Sequence, residues 1–113
     1  MVPAVSEEAP LSVVAAVDNG VARITIRGQL DLDRADVVAD QLSDLTAQNV
    51  TAVVIDASGL SFIDSSGLRA LLSAREQLEE AGVSLQLTDL SPAVERVLDI
   101  TGTRELLTGS SPP

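Results

Sequence analysis

Side chains that could do chemistry are concentrated in three short segments of this sequence. The segments read "GQLDLD" (28–33), "DASGLSFIDSSG" (56–67) and "TDLSP" (88–92). They supply five carboxylates and five serine hydroxyls: Asp31, Asp33, Asp56, Asp64, Asp89, Ser58, Ser61, Ser65, Ser66 and Ser91. Clustered oxygen atoms suit a hard cation such as Ca²⁺ or Mg²⁺, whereas a serine hydroxyl suits nucleophilic catalysis or phosphorylation.

The residue types that would complete a conventional active site are absent from the sequence, which contains no His, Lys or Cys. This excludes the commonest general base, Schiff-base chemistry and thiolate chemistry. The "DSSG" at 64–67 is not the G-x-S-x-G elbow of a hydrolase, and "GLSFIDSSG" (59–67) lacks the lysine of a Walker A loop. The aspartates match no calcium loop, and capping and turn formation explain most of them. We therefore expect no metal and no cofactor, and a small nucleotide-binding or hydrolytic protein that uses these aspartates is the less favoured alternative.

The charge of the chain limits its partners. Its 113 residues carry 17 acidic and 7 basic side chains, a net charge of −10, and Phe62 is the one aromatic residue. Nucleic acids and anionic membranes attract basic proteins, so we expect neither as a partner, and a protein with a basic patch fits better. No apolar run approaches the roughly 18 residues of a membrane span, and the acidic start "MVPAVSEEAP" does not resemble a signal peptide. The expected location is the cytoplasm.

Five segments have the composition of strands. Two of them, 11–17 and 21–28, flank the turn sequence "DNG", which predicts an antiparallel hairpin. The continuous apolar run at 51–58 predicts a strand buried on both faces. Alternation predicts a further strand at 83–87, and "RELL" at 104–107 is interpreted as a short edge strand.

Three segments show helical periodicity. The first has Asp33 as its expected N-cap and a buried stripe at Ala35, Val38, Leu42 and Leu45. The second follows "FIDSSG", with a stripe at Leu68, Leu71, Leu72 and Leu78 and Gly82 as its stop. The third has Ser91 as N-cap, Pro92 at its first position and Gly102 as its stop.

Strands that alternate with helices predict right-handed crossovers and a parallel sheet. We therefore expect a mixed, mostly parallel α/β sheet of four to five strands, with an N-terminal hairpin and about three main helices. The domain should span residues 11–107, between flexible segments at 1–10 and 108–113. In such a sheet the three polar segments lie at the carboxyl ends of neighbouring strands, and we expect them at one edge.

The run "VVIDASGLSFIDSSGLRALL" (53–72), with "GQLD" (28–31) upstream and "SPAVERVLDITG" (91–102) downstream, closely resembles the STAS-domain family. Within it, the resemblance is to the bacterial anti-sigma factor antagonists, and it covers about residues 11–107. It implies that Ser65, the first serine after the aspartate, is a phosphorylation site. It places Asp31 on the aspartate of the family's G-E-L-D motif. Gln29 stands where the family often has Glu, in an expected partner-facing loop.

The resemblance implies a protein that switches partners and catalyses nothing. Unphosphorylated, it would bind an anti-sigma factor, often one with serine kinase activity, and phosphorylation at Ser65 would end that contact. A PP2C-type phosphatase would reset the switch. The residues expected to contact the partner are Asp31, Asp64, Ser66, Gly67 and Leu68. The alternative is a STAS-type scaffold or adaptor, stressosome-like or transporter-associated, that phosphorylation does not control.

The residues alone leave simpler interpretations open. Ser65 and Ser66 are also candidate N-caps for the second helix, as is Asp64, and one cap suffices. Gly67 is interpreted as leaving room for another protein's backbone, and Phe62 as part of the core. A phosphate on Ser65 would be tolerated at a helix N-terminus but not buried by a partner, so the switch needs no refolding.

Overall fold

Four β-strands form one sheet in the computed structural model, which describes residues 11–45 and 48–108. The strands are β1 (Ser12–Asp18), β2 (Val21–Leu30), β3 (Ala52–Ile63) and β4 (Ser84–Thr88). They are hydrogen-bonded in chain order, with β1 antiparallel to β2 and the other two pairs parallel. The helices in these ranges are α1 (Leu32–Asp44), α2 (Ser65–Glu80), α3 (Pro92–Thr101) and α4 (Arg104–Thr108). The predicted fold class is confirmed.

The hairpin between β1 and β2 is closed by the two residues that the turn signal predicted. Asn19 and Gly20 both have positive φ angles, 53° and 80°. Two successive left-handed residues are what a two-residue type I′ turn needs, and its twist matches that of the flanking strands. The local sequence is therefore sufficient to set the register of the hairpin, in which Asp18 pairs with Val21.

The core lies on one face of the sheet only. In β2 every second residue is buried, as with Ala22, Ile24 and Ile26, while the residues between them are exposed or half-buried. β3 was predicted to be buried on both faces, and this is wrong, because Val54 and Asp56 remain half-buried on the face that carries no helix. The predicted helical stripes do face the core: Ala35, Val38, Leu42, Leu45, Leu68, Leu71 and Leu78 are all buried.

Strand β3 is longer than its alternation predicts, because it contains two β-bulges. It was expected to end at residue 58 and continues to Ile63. Its pairing with β2 shifts by one residue after Asp56 and again after Leu60. Buried residues consequently recur every third position, at Ala57, Leu60 and Ile63, instead of every second. This change of period is why the predicted strand ended at residue 58.

The bulges place two polar groups against the backbone of the sheet. The Ser61 hydroxyl donates to the Gly28 carbonyl at 3.1 Å, and the Ser58 amide donates to Asp56 Oδ1 at 2.9 Å. The hydrogen bonds from Ser58 lower the pKa of Asp56, and the nearby Arg27 acts in the same direction. These side chains thus stabilise an irregular strand and do not form a loop at the sheet edge.

The end of the described chain is a helix and not the predicted edge strand at 104–107. In α4, Leu107 is fully buried, and its amide donates to the Thr103 carbonyl at 3.2 Å. Arg104 donates to Asp99 and Glu95 of α3, and these carboxylates raise its pKa. A helical turn lets Leu107 reach the core layer, which a strand at the sheet edge would not. The predicted flexible segments lie outside the described residues, apart from Thr108.

Helix α3 begins and ends at the predicted residues. Ser91 is its N-cap, Pro92 its first residue, and Gly102 ends it with a φ of 72°. The Ser91 hydroxyl accepts from the Val94 amide at 3.2 Å and donates to the Leu60 carbonyl at 2.6 Å. Since the side chain is buried, this one hydroxyl joins the helix start to the bulged part of β3.

Replacing Ser91 with Ala should lower the free energy of unfolding by about 1–3 kcal/mol, because two buried backbone groups lose their partner. Urea denaturation followed by circular dichroism measures this loss. Ser84→Ala, at the exposed first residue of β4, is the control, and it should change stability by less than about 0.5 kcal/mol. Equal losses in the two variants would contradict the assigned role of Ser91.

Candidate functional site

Two strand–helix junctions lie side by side at one edge of the sheet. The last residues of β2 and β3, Leu30 and Ile63, are register partners. One residue then leads each strand into a helix: Asp31 precedes α1, and Asp64 precedes α2. Because the strands are parallel and end level, the N-termini of both helices are neighbours.

The Asp64 carboxylate connects the two helix starts. Its Oδ1 accepts from the Gly67 amide at 2.8 Å, which caps α2. Its Oδ2 accepts from the Leu32 amide, the first of α1, at 3.2 Å. The Asp64 amide in turn donates to the Leu30 carbonyl at 3.2 Å. One acidic side chain therefore satisfies an unpaired amide on each helix, and its charge suits the positive ends of both helix dipoles.

Asp31 occupies the equivalent position on α1 but is used differently. Its side chain makes no capping hydrogen bond and instead pairs with Arg34, with Nη1 at 3.0 and 3.2 Å from the two carboxylate oxygens. The predicted N-cap, Asp33, is wrong: it lies in the first turn of α1, because β2 continues two residues further than expected. Asp33 is exposed at that helix end.

Ser65 is the first residue of α2, and its side chain is exposed. Within residues 11–45 and 48–108 its hydroxyl makes no hydrogen bond. The interpretation of Ser65 or Ser66 as the N-cap is therefore wrong, since Asp64 performs that role. Ser66 is half-buried and lines a groove between α1 and α2.

Gly67 and Leu68 point into the molecule. A Cβ atom added at Gly67 would lie 2.8 Å from Leu30 Cγ and closer still to the Leu30 carbonyl oxygen. The backbone that approaches Gly67 is thus the end of β2 in the same chain. Leu68 is buried in the core beside it. The absence of a side chain at Gly67 is what allows α2 to start against β2.

The sheet edge does not gather all of the predicted polar residues. Asp56 pairs in register with Thr25, five residues before Leu30, which separates it from the helix starts by about 16 Å along the strand. Asp89 directly follows Thr88, the register partner of Asp56 on β4. It therefore lies at about the same height along the sheet as Asp56, away from the helix starts. In the described ranges no group of three or more acidic residues could hold a metal ion.

The α1–α2 groove beside Ser65 is a feature that sequence reasoning missed. Its volume is about 310 Å³, and its lining residues are Leu32, Ala35, Asp36, Ala39, Ser66, Arg69, Ala70 and Ser73. Leu32, at the start of α1, is 69% exposed and adds an apolar side chain to this groove. The available signal was spacing, since Ser66, Arg69, Ala70 and Ser73 recur on one face of a helix at intervals of three and four.

Two further expectations about this region are wrong. Phe62 was assigned to the core but is 45% exposed, because the second bulge turns it to the face of the sheet without helices. Gln29 was placed in a loop but lies within β2, opposite Phe62. Gln29, at which this chain differs from the G-E-L-D motif, is therefore fixed in position by strand pairing.

The chain belongs to the STAS domain family, whose model matches residues 12–111. It is 35% identical to the anti-sigma-F factor antagonist RsfB of Mycobacterium tuberculosis, over 63% of this chain and 58% of that protein's length. It is 30% identical to the anti-sigma F factor antagonist of Paenibacillus polymyxa, over 74% of this chain and 72% of that protein.

The solved structures agree with the family. The unphosphorylated form of the anti-sigma factor antagonist SpoIIAA is 25% identical, with a TM-score of 0.73 over 88% of this chain and 86% of that one. The phosphorylated form of SpoIIAA from Bacillus is 27% identical, with a TM-score of 0.62 over 82% and 84%. The predicted resemblance to bacterial anti-sigma factor antagonists is confirmed. Among the described residues, no helix is both long and apolar enough to cross a membrane.

Asp64→Ala should lower the free energy of unfolding by about 1–3 kcal/mol, because both the cap of α2 and the bond to α1 disappear. The matched control is Asp31→Ala, at the same position on the neighbouring junction, which removes only a part-exposed ion pair worth about 0–1 kcal/mol. Chemical denaturation of both variants provides the comparison. A larger loss for Asp31→Ala would contradict the assigned roles.

Gly67→Ala should lower the free energy of unfolding by about 1–3 kcal/mol, because the new methyl group overlaps the Leu30 backbone. Ser65→Ala, two residues away and exposed, should leave stability within about 0.5 kcal/mol of the parent. Thermal and urea unfolding of the two variants check this difference. An unchanged midpoint for Gly67→Ala would mean that β2 and α2 do not approach as closely as described.

Proposed function

We propose that this protein is an anti-sigma factor antagonist controlled by phosphorylation at Ser65. Unphosphorylated, it binds an anti-sigma factor that has serine kinase activity, and the phosphate ends that binding. A PP2C-type phosphatase removes the phosphate and restores the protein. The observation that carries the proposal is the exposed Ser65 hydroxyl, which has no hydrogen-bond partner within the described residues and stands beside the doubly bonded Asp64.

The position of Ser65 suits a phosphoryl acceptor. A kinase must bring the hydroxyl in line with the γ-phosphate of ATP, so the acceptor must be reachable from solvent. Ser65 is exposed at the end of a helix and makes no internal hydrogen bond that transfer would break. The buried Ser91, by contrast, is committed to two hydrogen bonds and is out of reach.

The fold can accept the phosphate without rearrangement. The first amides of a helix have no acceptor in the helix ladder, and the helix dipole favours negative charge at that end. Asp64 accepts from the Gly67 amide through its side chain and from the Leu68 amide through its carbonyl. The Ser65 and Ser66 amides are the two remaining donors of this first turn. A phosphate on Ser65 is therefore placed beside donors and not against the core.

The surface around Ser65 suits a protein partner while it carries no phosphate. Leu32, whose amide donates to Asp64, has an exposed side chain that lines the α1–α2 groove together with several small side chains. Asp31 and Asp64, which flank this surface, already make an ion pair and two hydrogen bonds within the chain. A partner meets an apolar and hydroxyl-bearing surface here, in which Asp31 and Asp64 already have partners, whereas Asp36 has no ion pair within the described residues.

Phosphorylation changes this surface by charge and bulk. It adds about −1.5 to −2 charges next to Asp64, where a complementary partner would have to bury them. Burial of an unpaired charge costs several kcal/mol, and about 3 kcal/mol weakens binding more than a hundredfold. Exclusion of the partner therefore needs no change in the fold of this chain.

The test is incubation with the cognate kinase-type anti-sigma factor, with ATP and Mg²⁺. Intact mass and peptide mapping should find one phosphate, on Ser65, and calorimetry should show binding before phosphorylation and at least a hundredfold weaker binding after it. Ser65→Asp, with a single charge, should weaken binding at least tenfold. Phosphate on another residue, or undiminished binding by Ser65→Asp, would overturn the proposal.

Two variants serve as controls for that experiment. Ser65→Ala should keep the fold and bind the partner but accept no phosphate. Ser66→Ala should still be phosphorylated at Ser65, because its hydroxyl belongs to the groove and not to the exposed end of the helix. Loss of phosphorylation in both variants would show that the kinase needs the pair and would leave the assignment to Ser65 unsupported.

A further inference from the structure

Arg69 occupies the position on α2 from which a side chain reaches back to Ser65. The two residues are four apart, so they lie on the same face of the helix, one turn from each other. Helical side chains lean towards the N-terminus, which directs the Arg69 guanidinium towards Ser65. Both side chains are exposed, so neither must leave the core for the two to meet.

Arg69 also differs from the other arginines of α1 and α2 in having no ion pair within residues 11–45 and 48–108, as is also true of Arg96 on the more distant α3. Arg34 is paired with Asp31, Arg75 with Glu79, and Arg104 with Glu95 and Asp99. Asp36 shares the α1–α2 groove with Arg69 but is not within ion-pair distance of it. In a protein of net charge −10, an uncommitted cation beside a serine is an available partner for an anion.

We propose that Arg69 is the residue that binds the phosphate on Ser65 and transmits its presence to the α1–α2 groove. This inference rests on the proposed function, since it requires that Ser65 be phosphorylated. The guanidinium donates hydrogen bonds to the phosphate oxygens, an interaction for which its planar fork is well suited. Arg69 acts as a positioning residue and takes no part in phosphoryl transfer.

Binding of the phosphate by Arg69 would also change the α1–α2 groove. Arg69 lines it in the unphosphorylated protein, near Asp36 and the small side chains of Ala39 and Ala70. When the guanidinium turns to the phosphate, the groove loses its cation while Asp36 remains. A partner that binds in the groove through an acidic group then loses its counterpart. The phosphate thus changes the surface that a partner meets both at Ser65 and along the groove.

The test uses the full chain with phosphoserine encoded genetically at position 65, in the parent and in Arg69→Gln. The second pKa of phosphoserine, ordinarily about 6, is measured by ³¹P NMR titration. A neighbouring guanidinium favours the dianion, so this pKa should be about 0.2–0.4 units higher in Arg69→Gln than in the parent. Asp31, Asp33, Asp36, Asp64 and Arg34, the other charges at these helix starts, are the same in both proteins.

Two matched variants sharpen the comparison. Arg75→Gln removes a cation from the same helix, ten residues from Ser65 and paired with Glu79, and should titrate like the parent. Arg69→Lys should retain part of the effect, because it keeps the charge without the planar fork. Identical titrations of the parent and Arg69→Gln, or an equal change in Arg75→Gln, would overturn the assignment of Arg69.

The effect on the groove has its own readout. Ala39 lies seven residues after Leu32 on α1, about 10 Å along the helix, so the phosphate alone should perturb it weakly. Its methyl signal should shift on phosphorylation of the parent and move much less in Arg69→Gln. Equal shifts in both would refute the coupling. The phosphoserine is encoded genetically, so these measurements need neither a kinase nor a partner. A failure of the proposed partner switch would therefore not change them, and a failure here would not decide the test of that switch.

Discussion

The arrangement of the site depends on one carboxylate, that of Asp64, which accepts hydrogen bonds from the starts of two helices. It accepts from Gly67 on its own helix and from Leu32 on the neighbouring one. Each helix start has amide groups with no partner in its own ladder, and leaving them unpaired in a half-buried position is unfavourable. The single negative charge of Asp64, placed between two positive helix ends, pairs with an amide at each of them. As a consequence, the adjacent Ser65 is not needed as a cap, and its hydroxyl remains available.

That interaction requires the two helix starts to be level, and the irregular strand β3 achieves this. From the pair Val21–Ala52 to the pair Leu30–Ile63, β2 spans 10 residues and β3 spans 12. The two bulges absorb the difference, so both strands end at the same height. Gly67 then allows α2 to begin against the Leu30 backbone, where a larger residue would collide. The bulges, the glycine and the aspartate together place Ser65 and the α1–α2 groove at this edge of the sheet.

Several features could be predicted from short segments because their causes are local. The Asn19–Gly20 turn needs only residues that adopt positive φ angles, and the start and end of α3 need only Ser91, Pro92 and Gly102. The incorrect predictions have non-local causes. Asp33 was chosen over Asp31 because the end of β2 is set by pairing with β3. The segment 104–107 was wrongly predicted as a strand. Its helix buries Leu107 in the core, and local periodicity does not reveal that core.

By itself, the sequence determined the mixed α/β class, the family, and the motif in which Ser65 follows Asp64. Turn residues, helix caps and apolar periodicity act over a few positions, and an unbroken motif can be read without coordinates. Only the tertiary structure decided which aspartate caps which helix, that Gly67 faces Leu30, and that Asp56 and Asp89 lie apart from Asp31. It also brought Leu32 and Arg69 together around the α1–α2 groove. Those relations depend on strand register and on contacts between residues more than 30 positions apart, which no local pattern encodes.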